Sequence, residues 1–415
     1  MSEAGSIRPA PAAVQDRSMR RGGGTPERWR VLGATFMTYL VDSYDLIVLA
    51  IAMPVLLEVL NISLPEGGLL GSATMVGAML GSVVFGLVAD NHGRRFAVVT
   101  ALVWLGVGMG FVYFIHSWGE WMLLRLVTGL AIGGIWGPCA ALIADHWAPE
   151  YRARAASFML SSFAVGAVLA SLVGRLVLYV DWRLIFLAGT SSVLIALLVV
   201  RLVPPDSAKS RSADPGRRER IGIASIFSGG LAGTTSLSIL VSVTILAGYW
   251  GAAYWIPTFL TKERGLSLTD MAGFSLFMYV GMFCGFQFFG MMADRIGRRK
   301  SIVAAFVTAA AAIGLYIVVE NPVFLFWWGI VVGFTLSGGS GVLGAYYTEL
   351  FPERIRAYAS GVCWNMGRIG AVLAPYTIGY IGKMYGLQTG LAVTCLVFLL
   401  GVGAVLLLPE TFRKE

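Results

Sequence analysis

The sequence predicts an all-α membrane protein of twelve transmembrane helices arranged as two six-helix repeats. Three observations carry that reading. Of 415 residues, 57% are hydrophobic and only 13% charged, where soluble domains carry about 25% charged residues. Apolar runs of about 18 residues or more recur along nearly the whole chain, each long enough to cross a roughly 30 Å hydrocarbon layer at about 1.5 Å per residue. Finally, one loop sequence recurs at an offset of 204 residues.

Residues 1–30 form a polar leader rich in Ala, Pro, Gly and Arg, expected to be a disordered cytoplasmic tail. The apolar run that follows is too long for the core of a cleaved signal peptide, so the first span is retained. Spans are predicted at 31–57, 68–89, 96–115, 120–145, 155–178 and 183–203, which make an N-terminal half of 31–203. A linker follows at 204–234, whose start carries Pro204, Pro205, Pro215 and most of a charge cluster running from Arg201 to Arg220. Spans at 235–260, 271–293, 301–319, 323–348, 358–382 and 388–408 make a C-terminal half of 235–408, with a short tail at 409–415. Apolar runs of this length satisfy their backbone in lipid only as helices, since a barrel would show alternating strands of about ten residues.

The repeat is legible in two places. Gly86-Leu-Val-Ala-Asp90-Asn-His-Gly93-Arg94-Arg95 returns as Gly290-Met-Met-Ala-Asp294-Arg-Ile-Gly297-Arg298-Arg299. Asp145-His-Trp-Ala-Pro149-Glu150-Tyr-Arg152-Ala is answered by Glu349-Leu-Phe-Pro352-Glu353-Arg-Ile-Arg356-Ala. Two halves with the same loop chemistry are the mark of repeat transporters, whose site forms between halves that rock against each other. The net charge of +8 does not point to nucleic acid, because the basic residues sit in short loops. With the N-terminus inside, 24 Lys and Arg fall on the cytoplasmic side; only Arg183, Lys262, Arg264 and Lys383 fall outside, and Arg125, Arg175 and Arg368 lie within spans. Both termini are therefore expected in the cytoplasm of a plasma (inner) membrane protein. Cys139, Cys284, Cys363 and Cys395 lie in apolar runs without paired spacing, so neither disulfides nor a metal site is expected, and no cofactor is implied.

The doubled Gly-x-x-x-Asp-x-x-Gly-Arg-Arg loop after spans two and eight, with the final Pro409-Glu410-Thr411-Phe412, resembles the major facilitator superfamily over nearly the entire chain. The resemblance implies that fold and transport by alternating access. The loops read as a cytoplasmic gate formed by Asp90, Arg94, Arg95, Asp145, Asp294, Arg298, Arg299 and Glu349, with Gly86 and Gly290 permitting close helix approach. Asn91 stands where the second copy has Arg295, so the first latch has one ionic contact fewer. Within the superfamily, Asp42-Ser43-Tyr44-Asp45 is similar to the first-span signature of aromatic acid:proton symporters and to that of sialate and monocarboxylate:proton symporters. Tyr249-Trp250 through Tyr254-Trp255-Ile-Pro257 also resembles the sialate type.

A charge near the bilayer centre costs about 2.5 to 3.5 kcal/mol on insertion scales, so Asp42, Asp45, Arg125, Arg175 and Arg368 need partners or water. Asp42 lies about 18 Å into its span and Asp45 one turn further on the same face. Arg125, entering from the other side, reaches the depth of Asp45 and is expected to meet it, brought close by the Gly129, Gly133 and Gly137 stripe. Burial disfavours a charged carboxylate and a neighbouring Arg favours it, so Asp42, Asp45 and Arg125 are proton-coupling candidates, or a purely structural pair. Arg368 lies mid-span in a half with no embedded Asp or Glu, which suits a substrate carboxylate. The resemblance agrees, since organic-anion members carry a substrate-contacting Arg in this span. Arg368 could instead pair with backbone carbonyls or with Asp42. Tyr44, Tyr249, Trp250, Tyr254, Gln287, Tyr346 and Asn365 are further substrate-site candidates, against packing or interface roles. Arg175 is expected to snorkel to the interface.

The function expected is secondary active uptake of a small organic anion, a mono- or small carboxylate with aromatic acids included, driven by proton symport and catalysing no chemical reaction. The partners are thus the anion, the proton and the lipid bilayer, with a monomer as the functional unit. Proton-coupled export of a drug or metabolite is the alternative, weakened by the absence of Pro from Phe158 to Gly174, where exporters carry a Gly-Pro-rich motif. A transporter-like sensor is less favoured, as only Arg413-Lys-Glu follows the final motif.

Overall fold

The computed structural model describes residues 26–205, 223–352 and 354–411. The tail expected at 1–30, the 204–234 linker, Glu353 and the last four residues lie wholly or partly outside these. Among the described residues the chain forms α1 (Pro26–Val59), α2 (Leu64–His92), α3 (Arg94–Gly110, extended by a 3₁₀ turn, Phe111–Phe114), α4 (Trp118–His146), α5 (Pro149–Val177), α6 (Arg183–Gly189), α7 (Ser192–Leu202), α8 (Ala232–Lys262), α9 (Leu268–Ile296), α10 (Arg298–Val318), α11 (Pro322–Leu350), α12 (Arg356–Met366), α13 (Arg368–Tyr385) and α14 (Leu387–Leu407). α6 with α7, and α12 with α13, are the sixth and eleventh spans, each broken where the sequence suggests continuity. At the first break Thr190 and Ser191 hydrogen-bond three residues back, Thr190 through its hydroxyl as well as its N–H, to Leu187 O at 2.7 and 3.0 Å. Such hydroxyls compete with the helical ladder.

The internal repeat extends to the helix ends. Ser63 caps α2 and Ser267 caps α9; Ser117 caps α4 and Asn321 caps α11, each pair 204 residues apart. Gly93 and Gly297, at φ +102° and +107°, turn the chain between consecutive helices in the two loop motifs, a conformation in which an L side chain is strained. Packing repeats too. A Cβ at Gly77 or Gly81 on α2 would sit 2.3 or 2.0 Å from the Leu126 or Leu130 carbonyl of α4, and Gly281 and Gly285 on α9 meet Ile330 and Phe334 of α11 at 2.0 Å. On the facing helices Gly129 and Gly133 approach the Thr74 and Ala78 carbonyls in the same way, at 2.4 and 2.0 Å. The glycine stripe therefore binds α4 to α2 rather than to α1, and Gly137 takes no part, with nothing within 4 Å. Gly86 and Gly290 have open space as well, so the expected close approach at these two positions is corrected. Close packing falls one turn earlier.

We call the side on which α1 starts the termini face and the opposite side the far face. Helices α1–α7 form one half and α8–α14 the other, and the halves meet chiefly through α2 against α13, α5 against α9 and α1 against α8. Among the described residues the side-chain hydrogen bonds crossing between halves run from Lys262 to Glu58, Tyr254 to Gly67 O (2.8 Å), Ser72 to Val372 O (2.6 Å), Arg175 to Thr269 O (3.4 Å) and Arg368 to Ala78 O (2.9 Å). All lie between the middle of the helices and the far face. There the backbones also touch: a Cβ on Gly68 would be 2.4 Å from the Pro375 carbonyl, and one on Gly379 2.6 Å from the Leu64 carbonyl. The halves are thus zipped together on the far side.

Candidate functional site

The charged residues buried between the helices form two tiers. In the upper tier, nearer the far face, α1 supplies Asp45 and α4 supplies Arg125. Arg125 Nη1 donates to Asp45 Oδ1 at 3.1 Å, and both side chains are about 1% exposed. The guanidinium lies over the rings of Trp121, one turn earlier on α4 (5.4 Å), and Phe186 of α6 (5.1 Å), contacts that favour a cation. Asp45 Oδ2 and Arg125 Nε and Nη2 are sealed from solvent without a hydrogen-bond partner among the described residues. A cavity of about 10 Å³ opens beside the pair, lined by Asp45, Thr74 and Met75 from one half and by Trp250, Tyr254 and Pro375 from the other, among others. That is room for about one water molecule.

In the lower tier Asp42 is 4% exposed, with Oδ1 lacking a partner among the described residues. Across the interface stands Arg368, half-buried, with Nη1 donating to the Ala78 carbonyl at 2.9 Å. Tyr39, Asp42 and Arg368 lie within electrostatic range of one another. The break between α12 and α13 places Arg368. The Gly367 N–H donates to Trp364 O (3.1 Å) and the Gly370 N–H to Gly367 O (2.9 Å), three-residue steps that tighten the helix. Gly367 sits so close to α8 that a Cβ would be 2.6 Å from Ser242 Cβ. This contact fixes the direction in which α13 leaves and aims its first residue at α2.

The remaining candidates divide. Trp250 is half-buried, lines the cavity and stands 5.1 Å from the Tyr249 ring. Tyr249 donates to Met282 Sδ (3.6 Å) and Tyr254 closes on the Gly67 carbonyl of the other half. Gln287 is exposed, and the Asn365 amide turns back to Gly361 O (2.9 Å) on its own helix. Two expectations are corrected. The Tyr44 hydroxyl donates to Ile185 O (2.7 Å), which directs it into its own half, because α6 packs on that face of α1. The Tyr346 hydroxyl donates to Pro409 O (2.6 Å) at the termini face, where it anchors the end of the chain beyond α14. Neither lies in the central tiers.

The loop residues form two clusters, each within its own half. Arg94 is ion-paired with Asp145 and donates to Ala141 O (3.3 Å), while Arg95 bonds Val200 O. Asp90 is exposed. In the second half Arg298 pairs with Asp294 and with Glu349 (3.3 Å), and the Glu410 carboxylate accepts the backbone N–H of Arg298 (3.0 Å) and of Arg299 (3.3 Å). Glycine suits Gly297 through its φ of +107°, which strains an L side chain, and a Cβ there would also displace the Glu410 carboxylate 2.7 Å away.

Four residues of this region escape sequence reasoning. Tyr39 is three residues before Asp42, a helical-neighbour spacing that marks it in retrospect. Phe163, whose ring lies 6.2 Å from Tyr39 and 6.4 Å from both Tyr249 and Trp250, has no such signal. Glu410 belongs to the quoted terminal motif but its target does not show in sequence. Arg175 is exposed at the far-face end of α5, and what sequence does not show is its target, Thr269 O at the start of α9, with a Cβ at Gly273 only 2.3 Å from its Nη1.

Comparison with known proteins agrees with this architecture. The family profile of the Major Facilitator Superfamily matches residues 32–287 and 273–415. The chain belongs to the major facilitator superfamily. It is accordingly a transporter and not an enzyme. It is 30% identical to a cis,cis-muconate transport protein of Acinetobacter baylyi over 92% of this chain and 93% of that protein. It is 23% identical to a benzoate transport protein of the same organism, covering 86% and 84%, and 22% identical to a sialic acid transporter of Escherichia coli, covering 90% and 92%. Among solved structures, a D-xylose-proton symporter superposes with a TM-score of 0.76 at 17% identity, over 94% of this chain and 99% of that one. A bacterial homologue of the human lysosomal transporter Spinster gives 0.76 at 18% identity, over 93% and 97%. At such identities the likeness is one of fold.

Proposed function

We propose that the protein is a proton-coupled symporter of small organic carboxylates, unsaturated and aromatic acids foremost, seated in the plasma (inner) membrane with both termini in the cytoplasm. The observation that carries this is Arg368: a half-buried, mid-span guanidinium at the junction of the halves, bonded to one backbone carbonyl and facing Asp42. Its fork retains donors for a carboxylate, and a bidentate pair there would replace a single neutral acceptor with a charged one. Relatives that carry muconate, benzoate and sialic acid, all carboxylic acids, support the same cargo.

Asp45 and Arg125 form the switch in this reading. Protonating Asp45 when the far face is open breaks the pair and leaves Arg125 held by two aromatic faces. The substrate then binds Arg368 and the halves exchange. Proton release toward the termini face restores the ion pair, so a carrier with the pair formed and the far side zipped corresponds to the state after release. Asp42 sets the charge that the substrate meets at Arg368, and the two loop clusters brace their own halves during the rocking motion. The excess of Lys and Arg on the termini side supports the orientation. The test is uptake of radiolabelled carboxylates into proteoliposomes with an imposed pH gradient. Accumulation that collapses with the gradient is expected; transport of no carboxylate, or accumulation indifferent to the gradient, overturns the proposal.

A further inference from the structure

Half-buried side chains from four helices and both halves link up here: the Phe163 ring of α5 contacts Tyr39 of α1 and Trp250 of α8, while Tyr39 and Arg368 of α13 lie within electrostatic range of Asp42. The Phe163 ring is the hub, tilted against Tyr39 and edge-on to Trp250. Its partial exposure leaves ring surface free. Tyr39 also stands apart from several interior tyrosines: the hydroxyls of Tyr44, Tyr254, Tyr346 and Tyr347 are each held by a backbone carbonyl. The Tyr39 hydroxyl has no hydrogen-bond partner among the described residues, and it is within electrostatic range of Arg368. A neutral donor without a partner among the described residues, packed against the Phe163 ring and in electrostatic range of a cation bonded to one backbone carbonyl, has the chemistry of a pocket for a flat conjugated acid.

We infer that Phe163 and Tyr39 are recognition residues, Phe163 packing against the π-face of the substrate and Tyr39 donating to the same carboxylate that Arg368 binds. This assignment rests on the carboxylate reading above and adds the source of its selectivity. Aromatic pairs contribute beyond area burial, which distinguishes a conjugated ring from a saturated one of equal size. A hydroxyl donating to a carboxylate strengthens binding of every carboxylate alike, ring or no ring.

The probes are benzoate and cyclohexanecarboxylate, which share the carboxylate and a six-carbon ring and differ in the π-system. Equilibrium binding is measured on the purified full-length protein in lipid nanodiscs. Wild type is expected to prefer benzoate. Phe163→Leu should shrink that preference about threefold to tenfold, holding cyclohexanecarboxylate affinity within about twofold, and Phe163→Tyr should restore it. Tyr39→Phe should weaken both probes about tenfold with their ratio intact. A thermal midpoint near that of wild type, and the rescue by Phe163→Tyr, separate recognition from misfolding. An unchanged ratio in Phe163→Leu, a wild type without preference, or undiminished binding in Tyr39→Phe overturns this inference while the symporter reading stands. Should wild type bind neither probe nor any carboxylate of the uptake panel, the symporter reading itself falls, and this inference with it.

Discussion

Arg125 and Arg368 are both arginines enclosed among the helices, and their surroundings differ in kind. Arg125 is enclosed by Asp45, Trp121 and Phe186, so it has a full charge partner within its own half. Arg368 has a carbonyl from the other half. Removing Arg125 leaves Asp45 buried without its counter-charge, a loss of about 3–5 kcal/mol for a pair of this kind. Arg125→Ala should therefore show a large drop in thermal midpoint, whereas Arg368→Ala should fold near-normally and lose substrate affinity. Arg368→Lys should also lose most affinity, because an ammonium keeps the charge but not the planar fork. Unchanged binding in either Arg368 variant would remove it from the site. Asp45→Asn should abolish accumulation driven by a pH gradient while sparing counterflow, in which substrate exchanges for substrate and no net proton moves. Retained gradient-driven accumulation would place coupling elsewhere. The meeting of Asp45 and Arg125 is legible in sequence because depth along a helix follows from counting residues at about 1.5 Å each. Rotation about the helix axis does not follow from counting. That is why Tyr44 and Tyr346, which are polar-tipped and in plausible spans, turn out to serve Ile185 and Pro409.

At the scale of helices, glycine position matters more than glycine number. Gly133 and Gly137 are one turn apart on α4, yet a Cβ at the first would lie 2.0 Å from the Ala78 carbonyl and one at the second would meet nothing within 4 Å. Backbone cannot yield as a flexible side chain does, so Gly133→Ala must push α2 and α4 apart, at a cost of about 1–3 kcal/mol. It also displaces the carbonyl that Arg368 holds. Gly137→Ala should be neutral or slightly stabilising, since Ala outranks Gly in a helix by about 1 kcal/mol. Thermal unfolding of the two variants checks this; equal midpoints would refute the packing argument. The second half adds another instance, at the position that repeats Gly81. Gly285, whose Cβ would meet the Phe334 carbonyl at 2.0 Å, should be as intolerant as Gly133. The repeat is visible in the sequence through its loops, because charged motifs stand out against an apolar background. The glycine contacts are legible only in part: the four-residue stripe on α4 shows Gly129 and Gly133, but not that Gly137 is idle or that α2 is the partner, because spacing does not tell which face meets a neighbour. The break at Gly367 is silent, for no proline announces it.

Over the whole molecule the two faces are built differently, and this bears on how the carrier alternates. On the termini face Arg94 with Asp145, and Arg298 with Asp294 and Glu349, bind loops within one half. Neutralising Asp294 should slow transport while leaving equilibrium affinity within a few-fold, as the cluster braces a half and does not touch the central tiers. On the far face the bonds cross between halves, and α2 and α13 approach through Gly68 and Gly379 with no room for a methyl group. A bulky residue at Gly68 would collide with the Pro375 carbonyl and could be accommodated only by parting the helices. Each far-face bond is worth little alone: the Lys262 to Glu58 pair is exposed, of the kind that contributes about 0–1 kcal/mol. The zipper as a whole decides the state. Gly68→Val should therefore hold the far side open, lengthening distances between spin labels placed on the far-face ends of α2 and α13 and abolishing counterflow. Labels on the termini-face ends of the same helices should move closer, because rigid halves that part on one side must converge on the other. If Gly68→Val cycles normally with unchanged label distances, closure of the far face does not depend on this contact.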